Sequence, residues 1–183
     1  TDHGQALTAS SFPPVGAAVD VDGGWRVDGS WPFTSGCDNA DWIILGVRTL
    51  PGQGAPPTGQ GYVIIPKGDY VIEDNWHVVG LAGTGSKDVV VENAFVPSHR
   101  LLTLSEAQSG SPPGTVHNTG PLYRIPFFAA ISTCLCSPVL GIAGGVLEDF
   151  VAETSGRMTK GAAVSQPRPM AELPTIHLRV AEA

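Results

Sequence analysis

Positive charge is the first thing this 183-residue chain has little of: ten lysines and arginines stand against seventeen acids, for a formal net charge of -7. None of the ten cluster, so there is no basic stripe to replace counterions on a phosphate backbone, and nucleic acid is excluded as an expected partner. Cysteine is scarce too. Cys37, Cys134 and Cys136 are too few and too irregularly spaced for a disulfide framework, and the expectation is a reducing cytoplasm. Cys134 and Cys136 stand two apart in an apolar helical run and so fall on different faces. His77, His99, His117 and His177 are far apart and none is paired as His-x-x-x-His, so no metal is expected. There is no Gly-x-Ser-x-Gly elbow, and Asp38, Asp41, Asp69, Glu73 and Asp74 fall in turns or strand edges, which leaves hydrolase readings without an anchor. The longest apolar stretch, Phe127 to Val151, is interrupted by Pro138, by glycines and by Glu148-Asp149, and no charged-then-apolar leader opens the chain. Neither membrane insertion nor export is expected.

Glycine and proline are abundant instead, at 23 and 16 residues. Over the first hundred residues they bound short apolar runs: Trp25 to Val27, Trp42 to Val47, Tyr62 to Ile65, Tyr70 to Ile72, Trp76 to Val79 and Val89 to Val91. These read as the strands of an antiparallel barrel or sandwich, with hairpin turns at Gly23-Gly24 and Asp28-Gly29 and a loop from Pro51 to Gly61. The pattern predicts a β-domain over 1–104, a polar linker over 105–122 and helices over 123–183. One helix is predicted from Phe127 to about Thr154, kinked at Pro138, and a second from Pro174, with Ile176 and Val180 on one face. That second pattern reaches Ala183 without a cap, so the polypeptide is expected to continue.

Two stretches carry chemistry: Trp31-Pro32-Phe33-Thr34-Ser35-Gly36-Cys37-Asp38-Asn39-Ala40-Asp41-Trp42 and Gly80-Leu81-Ala82-Gly83-Thr84-Gly85-Ser86-Lys87-Asp88. The second is not a phosphate loop, because Asp88-Val89-Val90-Val91 continues as strand where a helix would be needed. In this order and spacing, the two closely resemble the middle β-domain of flavin-dependent monooxygenases on the acyl-CoA dehydrogenase fold, similar to para-hydroxyphenylacetate and seco-steroid phenol hydroxylases. The resemblance implies an α+β chain: an antiparallel barrel or sandwich followed by the start of a C-terminal helical bundle, in a homotetramer.

What the resemblance implies for function is the oxygenase component of a two-component monooxygenase. It would take reduced FMN, in preference to FAD, from a separate reductase, and use dioxygen through a C(4a)-hydroperoxide to hydroxylate a phenolic small molecule. Ser35 and then Thr34 are implied as the hydroxyls at the flavin, with Trp31 and Phe33 as apolar wall and Gly36 as a further cofactor-binding residue. Thr84 and Ser86 are implied as lining residues, and Arg124 and Arg157 as partners of the flavin phosphate. Family members usually carry arginine where this chain has Ala82, which removes one charged contact. The histidine that assists such hydroxylations comes from late helices, and no histidine here inherits its role. Two alternatives stand beside this. One is a true acyl-CoA dehydrogenase, whose words are usually Trp-Ile-Thr-Asn-Gly and Arg-x-x-Phe-Gly, where this chain has Trp-Pro-Phe-Thr-Ser-Gly and Arg157-Met158-Thr159-Lys160-Gly161. The other is a non-catalytic β-domain.

Overall fold

Short apolar runs between turn residues do become strands, and they extend well beyond the runs themselves. The computed structural model describes residues 6–160 and 166–182, in one unit that ends at Pro126 and a second that begins at Phe127. The first unit holds β1 (Thr8–Val21), β2 (Gly24–Thr34), β3 (Trp42–Leu50), β4 (Gly59–Pro66), β5 (Val71–Glu73), β6 (Lys87–Pro97) and β7 (Leu101–Thr103). They form one sheet in the order β5-β6-β2-β1-β3-β4-β7. Every neighbouring pair is antiparallel except the central one, β1 with β3, which is parallel. Two features of the predicted antiparallel barrel or sandwich are thereby corrected. The sheet is mixed, and among the described residues β5 and β7 remain as edges, so hydrogen bonding does not close it. What holds is the coarser class, a sheet followed by helices.

β1 was hidden by Pro13 and Pro14, which the ladder of a regular central strand would reject. They are tolerated because they occupy an irregularity. Ser11 pairs with Leu45 and Gly16 with Val47, so five steps along β1 face two along β3. The extra residues loop out where no donor is needed. Gly46 makes room for them, since a Cβ there would lie 2.1 Å from the Phe12 carbonyl oxygen.

Trp31 stands fully buried in the middle of the core, with Val27, Ile43, Leu45, Val47, Val63, Ile65, Val89 and Val91 also enclosed. Its indole Nε1 donates to the Gly46 carbonyl at 2.7 Å, which satisfies the one polar atom it buries. Its ring lies against glycines: a Cβ on Gly16 would come within 2.0 Å of it, and one on Gly29 within 2.8 Å.

Three local expectations are corrected. Trp76 to Val79 is irregular, not a strand. The first hairpin turns at Asp22-Gly23, one residue earlier than predicted, with Gly23 at φ +77°. Asp28-Gly29 is no turn but lies inside β2, and the Asp28 carboxylate accepts the backbone N–H of the left-handed Asn93 across from it, at 2.7 Å. The glycine- and proline-rich stretch after β3 is a loop as far as Thr58, but Gly59, Gln60 and Gly61, read as part of it, open β4 and pair with β3.

The stretch read as linker opens with a short helix, α1 (Leu104–Gln108), held by a reciprocal capping box between Thr103 and Glu106. In the second unit α2 (Phe127–Ser155) runs on through Pro138 without a break, and α3 spans Pro174–Glu182. Ile176 and Val180 share one cleft with Val151 and Thr154, as the face assignment requires. α2 has no charged residue before Glu148, and Leu135, Val139, Leu140, Ile142 and Val146 are exposed on it. Length and composition alone would let this helix cross a bilayer.

Candidate active site

Strand alternation alone would turn Phe33 inward and Thr34 outward. A bulge reverses this. Trp31 pairs with Val89 and Thr34 with Lys87, so three steps on β2 face two on β6, and Phe33 adopts a left-handed conformation at φ +57°. Phe33 therefore points to solvent at 67% exposure, whereas Thr34 is fully buried and donates to the Trp31 carbonyl at 3.3 Å. Of the implied site residues, Trp31 and Thr34 have their side chains enclosed in the core. Ser35 emerges on the outside, exposed, with its N–H on the Phe33 carbonyl at 3.0 Å and an isolated bridge to Ser10.

A left-handed phenylalanine is held at a cost, since its Cβ crowds the following carbonyl by about 1–2 kcal/mol. Such strain collects at functional sites. Its size is measurable by comparing two variants that both lose the ring. Phe33→Gly is expected to be more stable than Phe33→Ala by about 1 kcal/mol in urea unfolding, the reverse of the usual strand order.

The second sequence word folds against the first. Leu81 and Gly85 both take left-handed conformations, at φ +59° and +50°, and the turn they frame leads directly into β6. No helix follows, so the phosphate-loop reading stays excluded. The Thr84 carbonyl accepts the Gly36 N–H at 2.9 Å, which joins the two words through the backbone. Three hydroxyls then line up: Ser35 Oγ lies 2.7 Å from Ser86 Oγ, Ser86 Oγ lies 2.7 Å from Thr84 Oγ1, and Thr84 Oγ1 donates to the Leu81 carbonyl at 2.9 Å. Ser86, in the middle of the line, is buried, whereas Ser35 at one end and Leu81 at the other are exposed.

Trp76 completes the group, and it was missed because it was read as part of a strand. Its ring meets Phe33 edge-on, centroids 6.0 Å apart at 85°, and its Nε1 donates to the same Leu81 carbonyl at 3.2 Å. No periodic signal marks it. Only its place after the short β5 could have done so. Gly36, at φ +78°, has nothing within 4 Å of where a Cβ would sit, so its backbone is open to approach.

A clip of charges holds the two words on their other side. Lys87 Nζ lies 3.1 Å from Asp38 and 3.0 Å from Asp74. Hydrogen bonds to Asp74 and then Asp38 raise the lysine above its ordinary value, and the bond from Lys87 lowers Asp74 below the usual carboxylate range. In so open a setting the pairs fix geometry more than stability. Beneath them Cys37 is buried, with its thiol 3.8 Å from the Gly85 carbonyl. Burial first, and then Asp38, push that thiol up and keep it unreactive.

The sequence-derived set thus divides. Ser35, Gly36, Thr84 and Ser86 come together, with Phe33 beside them. Arg124 ends a turn at Pro121–Arg124 in the first unit, and Arg157 lies in the second, where its carbonyl accepts the Met170 N–H. Both are exposed, and neither pairs with an acid among the described residues. Gly161, which ends the Arg157 word, lies outside the described residues. Among those described, no group of His, Cys, Asp and Glu is placed to hold a metal.

No protein-family model matches the chain. It is 43% identical over 183 residues to the oxygenase component of an FADH2-dependent resorcinol hydroxylase from Rhizobium sp. (strain MTP-10005), covering all of this chain and 44% of that protein. A crystal structure of the HsaA monooxygenase from M. tuberculosis superposes with a TM-score of 0.80 at 36% identity, over 96% of this chain and 43% of that one. XiaF from Streptomyces sp., solved in complex with FADH2 and glycerol, gives a TM-score of 0.78 at 33% identity, over 99% of this chain and 44% of that one. The chain spans less than half the length of each of these relatives. With the two words brought together, the chain is similar, across nearly all of its own length, to part of the oxygenase components of flavin-dependent monooxygenases.

Proposed function

We propose that this protein works as the oxygenase component of a two-component flavin-dependent monooxygenase: it receives reduced flavin from a separate reductase and, with dioxygen, hydroxylates a phenolic small molecule. The observation that carries the reading is the exposed Ser35 hydroxyl, anchored from below by Ser86 and flanked by Phe33, which Trp76 braces. That donor set fits a flat heteroaromatic ring with a polar edge. Apolar rings cover its face, a hydroxyl meets its edge, and the bare backbone at Gly36 permits close approach.

When bound, reduced flavin supplies the electrons that activate dioxygen. The chain's own residues bind and shield. Phe33 and Trp76 exclude water from the ring face, Ser35 fixes the polar edge, and Trp31 with Thr34 forms the rigid floor under the bulge. A guanidinium fork suits the flavin phosphates, and Arg124 in the first unit and Arg157 in the second are each, taken separately, a candidate for that contact. FADH2 is the form carried in the names of the resorcinol hydroxylase and of the XiaF complex, and it is the first form to test here.

The exposed apolar surface of α2 supports a further part of the reading, assembly as a homotetramer through the helical unit. The three free cysteines support a cytoplasmic setting.

Anaerobic titration of the full chain with reduced flavin, followed by dioxygen and a panel of phenols, tests the function. Bound reduced flavin and a hydroxylated phenol are expected. Flavin reduction by an acyl-CoA thioester would establish the dehydrogenase reading instead, and no flavin binding at all would leave a non-catalytic module.

A further inference from the structure

Between the end of β5 and the turn Ala82–Thr84 runs a strap, Asp74 to Leu81, that belongs to no strand or helix. It carries Trp76, so whatever fixes the strap fixes the aromatic cover of the site. Apart from the ring contact with Phe33, its ties to the rest of the unit before Leu81 are few. Asp74 meets Lys87 Nζ at 3.0 Å, and the Asn75 side-chain oxygen accepts the Asp88 N–H at 3.1 Å. The Trp76 indole donates to the Leu81 carbonyl, which lies inside the strap itself. Among the described residues, no hydrogen bond from His77, Val78, Val79 or Gly80 leaves the strap.

Lys87 is placed to do more than close one ion pair. Its ammonium also reaches Asp38, in the first word, at 3.1 Å. Its main chain is fixed, since Lys87 faces Thr34 in the ladder and its N–H meets the Gly85 carbonyl at 2.8 Å. One lysine therefore joins β6 both to the first word and to the strap, by two arms that can be cut separately. Phe33 depends on the second arm. It is left-handed and exposed, and Trp76 meets its ring only edge-on. A single contact of that kind is too weak to order an otherwise loose segment.

We propose that Lys87 is the positioning residue for the aromatic cover of the site: its bond to Asp74 latches the strap and so sets Trp76 against Phe33. The consequence for flavin retention rests on the function proposed above, whereas the latch itself does not. Salt is expected to act on it. The Asp74 side chain is 78% exposed, so dissolved ions compete for its charge, and the strap loosens as ionic strength rises. Asn75 keeps its own hold, so the loosening is partial.

The test is made on the full chain by NMR. Its four tryptophans give four indole N–H signals, and the one lost in Trp76→Phe belongs to Trp76. In Lys87→Met and in Asp74→Asn that signal is expected to shift, and the through-space cross-peak between the Trp76 and Phe33 rings to weaken. The ratio of open to closed strap should rise about threefold, the worth of an exposed ion pair. Asp38→Asn cuts only the other arm and Lys87→Arg keeps the charge, so both are expected to look native. Added sodium chloride should move the native signal towards that of Lys87→Met, and melting curves report whether each variant is folded. Reduced flavin, released under argon, is expected to leave the two latch variants about threefold faster than the native protein. A native Trp76 signal in folded Lys87→Met and Asp74→Asn would overturn the latch. Equal changes in Asp38→Asn would overturn it too, since the cluster would then be general support. Unchanged flavin release beside an altered Trp76 signal would overturn its part in retention. A native protein that binds no flavin would remove the flavin reading, and the indole signals would still decide the latch.

Discussion

Gly16→Ala is expected to destabilise the β unit by about 3 kcal/mol, at the upper end of what overpacking costs. Backbone preference argues for the opposite sign, because glycine inside a strand is worse than alanine by about 0.5–1 kcal/mol. Packing decides the matter. A Cβ on Gly16 would lie 2.0 Å from the Trp31 ring. The ring has nowhere to go, since its nitrogen is held by the Gly46 carbonyl at 2.7 Å and its far edge lies against Gly29. Chemical denaturation should therefore show a lower midpoint with an unchanged slope. Trp31→Phe in the same chain removes the clashing atoms, so the double variant is expected to lose less than the two single losses added together. A midpoint for Gly16→Ala equal to or above the native one would mean that the indole is not clamped.

That clamp also marks how far the sequence could be read. Short apolar runs bounded by turn residues located β2, β3, β4, β5 and β6 of the first unit, because most of these strands bury apolar side chains between exposed turns. The parallel pairing of β1 with β3 left no such trace. It joins segments some thirty residues apart, through a strand whose middle carries two prolines, and only the glycine at 46 makes the detour possible. The extent of α2 was legible from composition, and Pro138 did not interrupt it.

At the site, the two sequence words were recognisable as words, while their geometry was not. A single inserted residue in β2 exchanged the faces of Phe33 and Thr34, and so decided which hydroxyl stays outside. The hydroxyl line depends on a leucine in a left-handed conformation that few would assign to that residue type. Trp76 joins the site from an irregular segment, where no periodicity operates.

The central claim is that Ser35 offers its hydroxyl to the reacting edge of reduced flavin, and Ser35→Ala is the change that isolates it. The residue is exposed, so stability should move by no more than about 0.5 kcal/mol. Reduced flavin should still bind, because the aromatic cover of Phe33 and Trp76 is untouched. What should change is the fate of oxygen. One hydrogen bond of about 1 kcal/mol at the reacting edge corresponds to about a fivefold change in the partition between productive transfer and loss. The decisive measurement is the ratio of hydroxylated phenol to hydrogen peroxide formed per molecule of reduced flavin consumed, native against Ser35→Ala. A ratio lowered by about fivefold, with folding and flavin binding intact, is the expected result. An unchanged ratio in a folded, flavin-binding variant would contradict it, and would take Ser35 out of the reacting edge.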